Sequence, residues 1–193
     1  MKAKKAYIKA FFGMAAEKIK QTVVISPIIY PGQFAKGVKY QKSVLGYLAA
    51  NVGQVTFIKT PMTEAAVADL ITLLPQTKCQ QVIFIGAIGG LAEGLRIGDV
   101  VLTDQPKHVY SVRSIHEETG QKMRALRKQG IIGVDFEGRG FFAAAKKANL
   151  TAKAYFIVTD LPLSKPFYMK ITAKDKEKIK DSVGQVIHEC RSR

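Results

Sequence analysis

Residues 22–30, Thr-Val-Val-Ile-Ser-Pro-Ile-Ile-Tyr, are the first sustained apolar run along the chain. They read as a buried strand that Pro27 bends or ends, because proline has no N–H to give to a ladder. Pro31-Gly32 then predicts a turn. A second strand is expected over 54–59. Thr60-Pro61 follows as an N-cap with proline at the first helical position. The helix so opened carries Ala65, Ala66, Leu70, Ile71 and Leu74 and stops before Pro75.

Residues 81–86 are almost wholly apolar and break into Gly86-Ala87-Ile88-Gly89-Gly90, the pattern of a fully buried strand at a sheet centre that ends in glycines. Strands are expected over 98–104 and 108–112. Ser114 and Glu117 have the spacing of a capping box and predict a helix to about Gln129. Residues 131–134 read as a short strand, 141–148 as a short helix, and 154–159 as a buried strand ending at Asp160. Thr172 and Asp175 cap a last helix that places Ile179, Val183, Val186, Ile187 and Cys190 on one face. Strands alternating with helices make this an α/β sandwich with a largely parallel sheet. In such folds ligands sit beyond the carboxyl ends of the strands, which points at Gly86–Gly90, Asp135–Glu137 and Asp160.

Composition narrows the class. The 193 residues fit one domain, 1–193, and an apolar fraction of 47% excludes a disordered or fibrous chain. Charged residues interrupt every apolar run before the roughly 20 residues that a membrane span needs. Cys79 and Cys190 are too few for a disulfide framework or a four-thiolate zinc site. These features point to a soluble cytoplasmic domain without a membrane partner. Thirty Lys+Arg against 15 Asp+Glu give a formal charge of +15. That excess suits nucleic acid, an acidic membrane surface or small anions. The lysines are nevertheless spread along the chain, with modest clusters at Lys2/Lys4/Lys5 and Lys174/Lys176/Lys178/Lys180. With no basic-aromatic RNA motif among them, they read as a solvated surface and argue against nucleic acid as the partner. The apolar stretch from Ala6 to Ala16 is broken by Lys9 and followed by Glu17-Lys18, unlike a cleaved signal peptide.

Three segments carry the candidate chemistry: Gly86-Ala87-Ile88-Gly89-Gly90-Leu91 with Ile97-Gly98-Asp99-Val100-Val101 downstream, then Val134-Asp135-Phe136-Glu137-Gly138, then Phe156 to Asp160. Each has a plain structural reading. Glu137 would cap the following helix or pair with Arg139; Asp160 would receive turn N–H groups before Pro162; Gly89-Gly90 would make a tight turn; Asp99 would hold the adjacent loop. His108 and His116 read as surface or strand-edge residues, Glu17 as part of a solvated face, and no metal-ligand spacing is present.

Taken in order, the three segments resemble the nucleoside phosphorylase and nucleosidase superfamily, which includes purine nucleoside and uridine phosphorylases, methylthioadenosine/S-adenosylhomocysteine nucleosidase and futalosine hydrolase. The resemblance covers roughly Val55 to Asp160. It implies a three-layer α/β/α sandwich with a mixed, largely parallel sheet, a nucleoside substrate, a homo-oligomer, and no cofactor beyond phosphate as co-substrate in a phosphorylase. Glycosidic cleavage builds positive charge on the ribose as the base leaves, so it needs a carboxylate at the sugar and an acid at the base. By resemblance Glu137 binds the ribose, and Asp160 protonates or hydrogen-bonds a purine N7. Phe136 stands where the family has a methionine packed on the sugar, and the backbone of Gly86, Ala87, Gly89 and Gly90 approaches ribose or nucleophile. The sequence departs from the phosphorylase pattern at Ala87, where a hydroxyl residue often meets phosphate, and at Thr60-Pro61-Met62-Thr63, which replaces a Gly-x-Gly. Thr60 and Thr63 fit an anion site or a helix cap. Phosphorolysis, hydrolysis and nucleoside binding without turnover all remain compatible with these residues.

Overall fold

The apolar run at 81–90 is the centre of a nine-stranded sheet, and its glycines belong to the strand instead of breaking it. A computed structural model describes residues 2–192, with the side chains of 2–5 and 106 excepted, so the Lys2/Lys4/Lys5 cluster lies outside the described side chains. The elements are α1 (Lys2–Phe12), β1 (Thr22–Ser26), α2 (Pro31–Phe34), β2 (Gln41–Lys42), β3 (Leu48–Val52), β4 (Val55–Lys59), α3 (Glu64–Leu73) and β5 (Gln81–Gly90). They continue as β6 (Val100–Thr103), β7 (Val109–Ser111), α4 (Gly120–Lys128), β8 (Gly133–Asp135), α5 (Gly138–Lys147), β9 (Thr151–Asp160) and α6 (Ala173–Arg191).

The sheet is mixed. β1 lies parallel between β4 and β5, and β9 runs parallel to β5 on its other edge. Antiparallel pairs flank this core, β3 on β4 and β6 on β9. Gly53, at φ +57°, starts the two-residue connection that joins β3 to β4, a conformation that suits glycine. One apolar layer, including Phe84, Phe141, Phe156, Leu70 and Phe12, packs α1, α3 and α5 on one face. A second, including Phe34, Phe57, Tyr155, Val186 and Cys190, packs α2 and α6 on the other. This is the three-layer sandwich the sequence implies. Among the described residues no helix is long and apolar enough to cross a membrane.

Two helix starts differ from expectation for local hydrogen-bonding reasons. The Thr60 N–H donates to Ser26 O at 3.0 Å, which keeps the chain extended past β4. The cap passes to Thr63, whose hydroxyl accepts from the Ala66 N–H at 3.1 Å. Ser114 caps only a single turn, Ile115–Glu117. The Glu117 carboxylate binds the Arg113 N–H at 3.0 Å and Lys122 instead of closing a capping box, and Thr119 opens α4. Pro31-Gly32 begins a one-turn helix, not a bare turn. The capping box at Thr172 and Asp175 is present, and the apolar face of α6 is as expected.

Candidate active site

The site arises where the edge of β5 changes partner. β1 stays on that edge only as far as Ile25 beside Phe84, and β8 joins it antiparallel at Gly89 and Gly90. Since Gly89 also pairs with Asp160 of β9, β8 must occupy the edge that β1 has left. The glycines permit this crossing. A Cβ on Gly89 would stand 2.7 Å from Pro162 Cγ, and one on Gly133 would stand 2.8 Å from Ile88 Cδ1. Between the diverging strands lies a cavity of about 240 Å³, at the carboxyl ends of β1, β5 and β9.

Its walls come from distant parts of the chain. Pro27 and Ile28 follow β1; Ala87, Ile88 and Gly89 belong to β5; Asp135, Phe136 and Glu137 join β8 to α5; Thr159 and Asp160 end β9. Met62, Ile115, Glu118 and Phe167 add to the wall from connecting loops. Of the residues singled out from the sequence, Ala87, Gly89, Phe136, Glu137 and Asp160 meet here. Gly86, Gly90 and Thr60 are not among the lining residues. A Cβ on Gly86 would overlap the Phe84 ring, and one on Gly90 would stand 3.0 Å from Val158 Cγ1, so both positions serve packing. Thr60 is fully buried behind the β4 end, its hydroxyl unpartnered.

The plain readings of Glu137 fail in the structure because other residues have taken those roles. Asp135 caps α5, with Oδ2 accepting from the Gly138 N–H at 2.5 Å and the Glu137 N–H at 3.3 Å. Its Oδ1 accepts from Ser111 Oγ at 2.5 Å, and that hydroxyl accepts in turn from the Arg139 N–H at 2.8 Å. Arg139 turns outward to Glu64, with Nε–Oε1 at 3.0 Å and Nη2–Oε2 at 2.6 Å. Glu137 is left 4% exposed, with Oε1 buried and without a hydrogen-bond partner. Burial, followed by the charge of Asp135, pushes its pKa from 4.5 up to about 7.

Asp160 is in a similar condition. It is 8% exposed, and its Oδ2 is buried without a partner. Burial raises its pKa from 3.8 to about 6, against the Thr159 hydroxyl and the Phe167 backbone N–H, which draw it down. A further cavity carboxyl, Glu118, is pushed up to about 7 by burial and then by the charge of Asp160. The sequence pattern placed the 114–129 segment in one capped helix, so nothing in it marked Glu118.

The remaining candidates behave as ordinary structure. Asp99 Oδ2 accepts from the Arg96 N–H at 2.7 Å and closes the loop before β6. His116 and Glu17 are exposed, and His108 lies near the Thr103 hydroxyl. Cys79 is buried as a free thiol whose pKa burial raises to about 12, so it stays protonated. Among the described residues no group of three or more His, Cys, Asp or Glu is placed to hold a metal.

Comparison with known proteins finds likeness in part of the sequence and in the fold. A family model, the phosphorylase superfamily, matches residues 38–110. That stretch holds the Gly86–Gly98 segment and ends before Glu137 and Asp160. No curated protein sequence matches the chain. An AMP nucleosidase structure from Bacteroides thetaiotaomicron superposes with a TM-score of 0.72 at 16% identity, covering 97% of this chain and 98% of that one. A uridine phosphorylase from Vibrio fischeri gives 0.71 at 11% identity over 92% and 93% of the two chains. An isoform 2 uridine phosphorylase from Schistosoma mansoni, in complex with citrate, gives 0.67 at 12% identity over 93% and 88%. At these identities the likeness is one of fold.

Proposed function

We propose that this chain, which matches the phosphorylase superfamily in part of its sequence and shares the fold of nucleosidases and uridine phosphorylases over most of its length, cleaves the N-glycosidic bond of a purine nucleoside or related N-glycoside. One observation carries the reading. Two buried carboxyl groups from separate strand ends, each with an unpartnered oxygen, line one cavity. Buried polar atoms without partners are costly in a folded protein, and a ligand that hydrogen-bonds to them removes the cost.

The chemistry assigns the two carboxyls different tasks. Glu137 accepts hydrogen bonds from ribose hydroxyls and, as the carboxylate, stabilises the positive charge that grows on the sugar. Binding a diol supplies the donors that the empty site lacks, which favours the ionised form at neutral pH. Burial raises Asp160 from 3.8 to about 6, which brings its protonated form within reach just below neutral pH, and that form donates to the departing purine at N7. Phe136 supplies an apolar surface beside the sugar. The backbone of Ala87 and Gly89 lies along the same wall, where it can approach ribose or nucleophile closely.

Hydrolysis is the second reading, and the cavity wall favours it over phosphorolysis. Glu118, Asp135, Glu137 and Asp160 all line the cavity, while none of its described lining residues is Lys, Arg or His. A phosphate carrying one to two negative charges would find no cation in this wall and would meet whichever carboxyls are ionised, at a cost of about 1–4 kcal/mol for each such charge pair near 4 Å. Water carries no such cost.

The test is release of free base from a nucleoside panel, with and without phosphate. Glu137→Gln and Asp160→Asn should each lower kcat/KM by about 10²-fold or more. Unchanged turnover in both variants refutes the site. A strict requirement for phosphate selects phosphorolysis and removes the hydrolytic reading.

A further inference from the structure

The cavity wall has a charge opposite to that of the chain as a whole. The protein carries 30 Lys+Arg against 15 Asp+Glu, yet four of those acids, Glu118, Asp135, Glu137 and Asp160, line this one cavity, and none of its described lining residues is basic. Cations on the neighbouring segments have other partners. Lys122 pairs with Glu117 and lies over the Tyr110 ring, Arg139 pairs with Glu64, and Lys165 pairs with Asp175. Lys59 lies over the Tyr30 ring, while Arg113 and His116, on the segment that carries Glu118, are exposed and off the wall. Phe136 and Phe167 add aromatic side chains to the same wall. Carboxylates beside aromatic rings are the groups that hold an organic cation out of water.

We propose that the cavity takes an N-glycoside whose aromatic base carries a permanent positive charge, such as a pyridinium, in preference to a neutral nucleoside. Cleavage of that substrate rests on the glycosidic reading above; binding of the cation rests on the wall alone. Glu137 Oε1 and Asp160 Oδ2 are buried without hydrogen-bond partners, and their residues are 4% and 8% exposed. Burial is the first cause that lifts Glu137 and Glu118 to about 7 and Asp160 to about 6, so what these carboxyls lack is water or a counter-charge. A cation in the cavity supplies the counter-charge and draws all three toward their ionised forms. A neutral base of the same shape offers no such gain.

The positive charge also suits the bond that breaks. When the C1′–N bond of such a glycoside is cleaved, its electron pair stays on the base nitrogen and cancels the charge there. The base departs neutral and needs no proton from the protein. Water adds its oxygen to C1′ and gives up one proton, which an ionised carboxylate of the wall accepts. The charge that has left the base develops on the sugar, beside the same carboxylates, and is stabilised by them.

The experiment is calorimetric titration of the full chain with 1-methylnicotinamide, a pyridinium, and with 3-methylbenzamide, which has the same shape and no charge. At pH about 7.5 the cation should bind about tenfold or more tightly than the neutral compound. At pH about 6.5 its binding should release protons, read as a heat that changes with the ionisation enthalpy of the buffer, while the neutral compound releases none. Glu118→Gln should cut the preference about threefold or more and leave affinity for the neutral compound within about twofold. Equal affinity for the two compounds, a cation bound without proton release, or a preference unmoved by Glu118→Gln overturns the proposal. Release of base from nicotinamide riboside, run beside inosine and adenosine, should show kcat/KM about tenfold or more in favour of the cation. A cation preference in a protein that cleaves no N-glycoside would uphold the binding inference and overturn the cleavage reading. Cleavage of neutral nucleosides with no cation preference would do the reverse.

Discussion

Replacing Glu137 with Gln should make the ligand-free protein more stable in mildly alkaline solution, although it removes the residue assigned to the ribose. In the native state this carboxyl is 4% exposed, and its pKa is pushed from 4.5 up to about 7, first by burial and then by Asp135. The folded chain therefore holds the proton more tightly than the unfolded chain. Stability from this group is complete below 4.5, where both states are protonated, and is lost as the pH rises to about 7. Linkage makes the loss about 3 kcal/mol by pH 8, of which about 2.5 kcal/mol falls between pH 5 and pH 8. An amide cannot ionise, so Glu137→Gln escapes that loss and keeps a similar shape. The assay is urea unfolding of both proteins at the two pH values. The wild type should weaken between them by about 2.5 kcal/mol more than the variant. Parallel pH dependences would show that the Glu137 carboxyl is not held desolvated, and the binding argument built on it would fall.

Two further substitutions separate the site from its scaffold. Asp135→Ala removes the α5 cap and leaves the Ser111 hydroxyl without its acceptor, which should cost about 1–3 kcal/mol in urea unfolding. A change below about 0.5 kcal/mol would mean that the cap is not what positions Glu137. Gly86→Ala forces the Phe84 ring from its place 5.2 Å from Phe141 and 5.7 Å from Phe156, and should cost about 1–3 kcal/mol. Because Gly86 lies off the cavity wall, base affinity of the folded protein should be unaltered, and a loss of affinity would bring Gly86 back into the site.

The layers of the fold were legible in the sequence, because they rest on local signals. A long apolar run, as at 81–90, has to be buried on both faces, and the Thr172/Asp175 capping box fixes where α6 begins. The ordered Gly-Gly-Leu, Asp-x-Glu and terminal Asp segments singled out Glu137 and Asp160, and the structure brings the two to one cavity. Helix starts were less legible where two capping residues compete. Thr60 against Thr63, and Ser114 against Thr119, were decided by the β1 end and by the turn that carries Glu118, neither of which has a local signature.

The order and chemistry of the residues on the chain determined which groups were available for the site. Tertiary structure alone decided which of them are free to act. Glu137 Oε1 is unpartnered because Asp135 has the helix N-terminus and Glu64 has Arg139. Gly86 and Gly90 serve packing while Gly89 lines the cavity, because β8 replaces β1 on the edge of β5 at Gly89. The reason is physical. Hydrogen-bond capacity is a property of a residue, but its satisfaction depends on neighbours brought from elsewhere in the chain, as Ser111, Glu64 and Asp160 are here.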